Sequence, residues 1–405
     1  MNNIENNEAS NENLNNHIPM SSIALLFEAN KCKKEKAKKY IKFIDKRYVY
    51  VNNTNFFDGE EISNLLKGLC AVPKIKGITV EINLRNSNFA DKITYIILEC
   101  ICYYLIRFLG YKVEFYWNER FSIGTEGLRY SPIQYLANTS LFSYTFLNDD
   151  DNPGHYRGIL LSTASDSEVS AKASEISDYF QENGIEIETA LYLSKTLSEV
   201  IGNAIEHGAS DCLIDIDITD PKYHKSNNED NYDYYGINVA VVSFSEIPFY
   251  QKLKNKMNDE EFKKTKKFLR YKYISDALSH HSKHFGIEFD GYLDVSTKYN
   301  ENDFYTFASF QDRISGSFDK ERSGGTGLTR LIQAIEEKSE SSYCYQLCRR
   351  RLIILQKDIL QYKDNIIGFN QSGDFVNDIP DHKVFGCCST DIPGTVYSLN
   401  FVIRN

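Results

Sequence analysis

The chain has no cysteine pair at C-x-x-C spacing, no apolar run of bilayer length and no surplus of positive charge. Each absence removes a class of protein. Nine cysteines, an odd number scattered over 405 residues, read as reduced thiols in a cytoplasmic protein rather than a disulfide framework. Cys344 and Cys348, and the adjacent Cys387 and Cys388, lack the two ligand pairs of a usual zinc site. The most apolar run, residues 93–109, is broken by Glu99 and Arg107 and is shorter than the ~20 residues a bilayer requires. A buried helix is expected there, and no membrane partner. The first twenty residues are Asn-rich and polar, without the apolar core of a secretory signal. A net charge of -10 speaks against a chain devoted to nucleic-acid backbones, so nucleic acid is not indicated as a partner.

What is present is globular: 42% hydrophobic and 13% aromatic residues, at a length suited to two or three domains. Residues 1–22 read as a disordered tail, because Asn, Glu and Ser bury too little apolar surface to offset ordering entropy. The lysine-rich stretch 31–47 is expected to be a solvated helix face, with Tyr40, Phe43 and Ile44 on its apolar side; a patch for an acidic partner is the alternative. From 48 to 117 the pattern alternates strand, helix, strand, helix, strand, which implies parallel pairing in a small α/β domain spanning 23–120. Residues 121–150 form the expected linker region, broken by Asn148-Asp-Asp-Asp-Asn-Pro-Gly. The remainder, 151–405, is expected to fold alone as a mixed sheet with helices on one face, a two-layer α/β sandwich.

Within that remainder, Leu193-Ser-Lys-Thr-Leu-Ser-Glu-Val-Ile-Gly-Asn-Ala-Ile-Glu-His-Gly has apolar residues at Leu193, Leu197, Val200, Ile201 and Ala204, one stripe of a helix that Gly208 closes. Glu199, Asn203 and His207 are four apart and share the face beside the stripe. A carboxylate, an amide and an imidazole in one row can polarise a water, hold a hydrated Mg²⁺ and touch a phosphate. Strands are expected over 212–219 and 237–244. Helices follow over 258–284, where His280, His281 and His284 read as exposed. Further on come Ser323-Gly-Gly-Thr-Gly-Leu-Thr-Arg-Leu-Ile and Pro393-Gly-Thr-Val-Tyr-Ser-Leu-Asn-Phe-Val-Ile.

These three stretches, in this order, resemble the N-box, the second glycine box and the closing Gly-Thr strand of the GHKL (Bergerat-type) ATP-binding superfamily of histidine kinases, gyrase B subunits and MutL. The resemblance implies ATP and Mg²⁺ as cofactors. Glu199 would be the general base and Asn203 the Mg²⁺ ligand, with His207 beside them. Gly324, Gly325, Thr326, Gly327 and Leu328 would cradle the phosphates, and Thr395 would reach the adenine through water. The superfamily's Asp-x-Gly-x-Gly is missing: Ser243 stands at the aspartate position, with Glu246 as a possible substitute. The N-terminal α/β unit resembles STAS-type domains, although Asn88-Phe-Ala-Asp-Lys-Ile does not match their phospho-acceptor motif and Thr94 is only the nearest hydroxyl. The implied function is a slow ATPase or nucleotide-controlled switch acting through a protein partner or a homodimer. The alternatives are a non-catalytic regulator and a serine kinase of a STAS-like partner.

Overall fold

A computed structural model describes residues 20–85, 87–117, 155–218, 234–290, 296–312, 314–315, 327–355, 357–363 and 366–404. Residues 1–19 of the expected tail, the linker 121–150 and the glycine-box residues 324–326 lie outside the described residues. Where the description begins, at Met20, the chain is already packed. Met20 is fully buried, and its backbone N–H donates to Asp211 Oδ2 at 2.7 Å.

The stretch 31–47 departs from its helical reading. Only Lys34–Ala37 is helical; strands β1 (Lys42–Ile44) and β2 (Arg47–Val51) then form an antiparallel hairpin. Asp45 and Lys46 close it with φ of 47° and 66°, the left-handed pair of a two-residue I′ turn. Phe43 packs on Tyr48 across the hairpin, so the apolar spacing that fits a helix serves a strand pair instead. Helix α1 (Gly59–Leu69) starts at Asp58, whose carboxylate accepts from the Glu60 and Glu61 N–H groups. Strand β3 (Thr79–Arg85), helix α2 (Lys92–Arg107) and strand β4 (Lys112–Trp117) follow. The sheet order is β1-β2-β3-β4, with β2, β3 and β4 parallel, as the alternation implies.

The second unit is built on β5 (His155–Leu160), β6 (Cys212–Ile218), β7 (Tyr234–Ser243), β8 (Ser339–Leu355) and β9 (Phe385–Arg404), in the order β8-β9-β7-β6-β5. The expected mixed sheet is antiparallel at every one of these pairings. For β5 and β6 the reason lies in the helices α3 (Asp166–Glu182) and α4 (Ile187–Gly208). As a pair they carry the chain away and back, so Cys212 starts opposite Leu160, where β5 stopped. Around the far end stand α5 (Gln251–Asn258), α6 (Lys272–His281), α7 (Glu301–Ala308) and α8 (Gly327–Lys338).

Helices α3, α4 and α8 cover one face of this sheet, and the stripe Leu193, Leu197, Val200, Ile201 and Ala204 is buried there as the periodicity requires. The other face is not open. Leu213, Ala240, Val242, Phe244, Leu347 and Val396 share a core with α2, so the sandwich gains a third layer from the N-terminal unit. Thirteen of the sixteen α2 residues are buried, which is why this run is apolar on every side. Each fully buried Ile or Leu there, such as Ile97, Leu98 and Ile101, contributes about 1.5–3 kcal/mol. One interior is therefore common to both units, with α2 seated against the sheet that residues 151–405 build. No helix among the described residues is long and apolar enough to cross a membrane.

Candidate functional site

Helix α4 carries the row of polar residues. It ends in a left-handed residue, but that residue is Ala209 (φ 47°) rather than Gly208, which is the last helical position. Glu199 is about one-third exposed, and its Oε1 accepts from Arg330 Nη1 at 3.0 Å. Asn203, one turn on, is half-buried; the side chain of His207 lies outside the described residues. Arg330 belongs to α8, three positions past Gly327, and buried Leu328, Leu331 and Ile332 seat that helix in the core it shares with α4. The structure thus brings Glu199 of the α4 row to the first turn of α8. Gly324, Gly325 and Thr326, expected from the resemblance to cradle phosphates, lie outside the described residues.

At the end of β7, Ser243 pairs with Thr395 of β9 and with Cys212 of β6. Ser243 and Thr395 are both buried. The Ser243 hydroxyl is shared with the Ser210 hydroxyl at 2.6 Å, just past the end of α4. Gly394 has φ +97°, and a Cβ there would sit 2.1 Å from the Ser243 carbonyl oxygen and 2.6 Å from Ser245 N. The Gly-Thr pair therefore has a structural duty of its own: it lets β9 close onto the β7 terminus. Glu246, the possible stand-in for the missing aspartate, is exposed.

Two groupings went unread in the sequence. Lys92 and Glu99 of α2 meet His155 and Arg157 of β5 and Asp215 and Asp217 of β6, each with a buried side chain. Lys92 Nζ is 2.5 Å from Asp215 Oδ1 and also contacts Asp217; Arg157 bridges Asp215 (2.5 Å) and Glu99 (2.9 Å). Burial opposes ionisation of Asp215, yet Arg157, Lys92 and His155 outweigh it and hold the carboxyl below its usual range. Burial pushes Asp217 up, against the pull of Lys92, and pushes Glu99 up to about 7, against Arg157. His155, Asp215 and Asp217 place ligand atoms within 4.8 Å of one another, but the Lys92 ammonium already supplies the cation between the carboxylates. The Asp215-x-Asp217 alternation was the only sequence signal. The other grouping is a cleft at Arg349, Arg350 and Arg351, visible beforehand only as a run of three arginines.

The three histidines divide. His281, expected to be exposed, is buried: Nδ1 pairs with the Tyr299 hydroxyl at 2.7 Å and Nε2 with the Phe375 carbonyl oxygen at 2.8 Å. Burial lowers its pKa to about 4, so the ring is neutral and structural. Thr94 is also structural: its hydroxyl donates to Asp91 at the α2 cap. Comparison with protein-family models, curated proteins and solved structures finds no match for this chain.

Proposed function

We propose that this chain is a nucleotide-controlled switch of the GHKL type that binds ATP with Mg²⁺ and hydrolyses it slowly. The observation that supports it is the meeting of three sequence-distant motifs. Glu199 of α4 faces Arg330 of the α8 first turn, Ser210 at the foot of α4 bonds Ser243, and Ser243 pairs with Thr395. The residues fit the cofactor better at the phosphate end than at the base end. Asn203 is accessible beside Glu199, whereas Ser243 is buried with its hydroxyl already engaged.

Bound MgATP would supply the electrophilic phosphoryl group and its charge-neutralising metal. Asn203 would hold the Mg²⁺ through its amide oxygen, and the N-terminus of α8 would face the phosphates. Glu199 would take the proton of the attacking water, for which its contact with Arg330 must first open. In this reading the Glu199–Arg330 pair is the resting state, and its opening couples nucleotide to a protein partner or a second copy. Calorimetry of the full chain with ATP and ADP, with and without Mg²⁺, tests the proposal. Binding that Asn203→Ala abolishes supports it.

A second reading is a non-catalytic regulator that keeps the fold without nucleotide. The Ser210–Ser243 pair favours it, since a buried shared hydroxyl is a weaker receptor for an adenine amino group than a carboxylate. Absence of any binding at millimolar nucleotide would establish that reading instead.

A further inference from the structure

Between Leu347 and Arg351 the pairing of β8 with β9 loses its regular register: Leu347 faces Val396, Arg349 faces Ile392 and Arg351 faces Cys387. In a regular strand, successive side chains point to opposite faces, so Arg350 would oppose Arg349 and Arg351. Here Arg349 adopts φ +57°, a left-handed conformation that non-glycine residues rarely take. All three arginines line one half-open cleft of about 230 Å³, together with Thr306 and Asn302 of α7. Strain and bulging of this kind mark places where a strand re-aims side chains.

The cleft's charges are unequally committed. Arg351 is locked: Nε and Nη2 take the two oxygens of buried Asp303 at 2.6 and 3.0 Å, and Nη1 contacts the Thr297 hydroxyl. Arg349 pairs with Asp391 at 3.1 Å. Arg350 is exposed and forms no ion pair among the described residues. The cleft therefore carries one guanidinium beyond what its carboxylates neutralise. We infer that it binds a small phosphate-bearing anion, of orthophosphate to diphosphate size, with Arg350 closing on it and Arg349 as the second donor. The volume lies below the roughly 300–1,000 Å³ of drug-sized pockets, which favours a ligand of this size over a whole nucleotide. The net charge of -10 disfavours a polynucleotide. None of the lining residues belongs to the α4 row, so this site is separate from the proposed nucleotide site.

The test is calorimetric titration of the full chain with sodium pyrophosphate at constant ionic strength, repeated for Arg350→Ala, Arg349→Ala and Asn203→Ala. Saturable binding is expected in wild type, at least roughly tenfold weaker in the Arg350 variant, the usual loss for one charge-assisted bond. Asn203→Ala should bind pyrophosphate as wild type does, even if nucleotide binding is lost or was never present. Arg350 is exposed, so its substitution leaves the fold intact. No heat at about 10 mM probe, a range where Kd values near 1 mM still register, would overturn the inference. So would loss in Asn203→Ala with none in Arg350→Ala, or Arg350-dependent binding of a single-stranded oligonucleotide without any response to pyrophosphate.

Discussion

Lys92 on helix α2 and Asp215 on strand β6 lie 2.5 Å apart, shut off from water, and 123 positions separate them in the chain. This pair fastens the N-terminal unit to the five-stranded sheet. Removing the ammonium would leave Asp215 and Asp217 buried with less compensation, a loss that typically costs about 3–5 kcal/mol. Lys92→Met is therefore expected to lower the urea midpoint sharply, and Lys92→Met with Asp217→Asn to recover part of it. Equal stability of wild type and the single variant would show that the charges are not buried together.

Stability should fall as pH rises through the weakly acidic range. Glu99 titrates near 7 in the folded chain because burial disfavours its charge, against 4.5 as an ordinary side chain. The folded state then binds more protons than the unfolded one between these values, so unfolding becomes easier with rising pH, by up to about 3 kcal/mol. Asp303, pushed by burial to about 6, acts in the same direction; His281, lowered to about 4, acts oppositely below 6.5. Glu99→Gln should match wild type near pH 5 and exceed it at pH 8. Parallel denaturation curves at both pH values would refute the assignment.

Glu199→Gln keeps the shape of the side chain and removes the base. On the proposed mechanism, nucleotide binding survives while hydrolysis drops by ~10²–10⁴. His280→Ala should alter neither. Unchanged turnover in the Gln variant would exclude Glu199 from the chemistry.

Gly394→Ala is expected to destabilise by more than about 2 kcal/mol, since the new methyl meets the Ser243 carbonyl in a backbone conformation alanine avoids. Thermal unfolding is the measurement, and a melting temperature within a degree of wild type would contradict the close approach.

A fragment covering 151–405 should be insoluble or bind apolar dyes. It would expose the sheet face of Leu213, Val242, Phe244, Leu347 and Val396 that α2 now covers. A soluble, cooperatively unfolding fragment would mean that this face tolerates water.

The α4 stripe, α2 and the parallel strands β2 to β4 were legible because each carries its own period or a strand–helix alternation. The hairpin at 42–51 was not: Tyr40, Phe43 and Ile44 fit a helical spacing, and only the left-handed pair Asp45 and Lys46 decides otherwise. Burial on both faces of the sheet was hidden for another reason. The residues facing α2, such as Val242, sit in runs apolar on both sides, and such runs do not say which partner covers which face. The ion cluster joins elements more than a hundred positions apart, beyond any local pattern. Of the candidate site residues, spacing alone puts Glu199, Asn203 and His207 on one helical face, whereas the Arg330 contact depends on how α8 docks.

Strand β9 lies between β8 and β7, and its residues also reach the opposite end of the chain: Thr390 bonds the Gly59 carbonyl, and Asn30 and Asp391 exchange two hydrogen bonds. Sequence separations of 331 and 361 at these contacts raise the contact order of the fold. During synthesis β5, β6 and β7 emerge long before β9, with an open edge at β7 that invites mispairing. The sheet cannot close until residues 385–404 have been made, so folding should be slow, late and dependent on whatever shields that edge in the meantime.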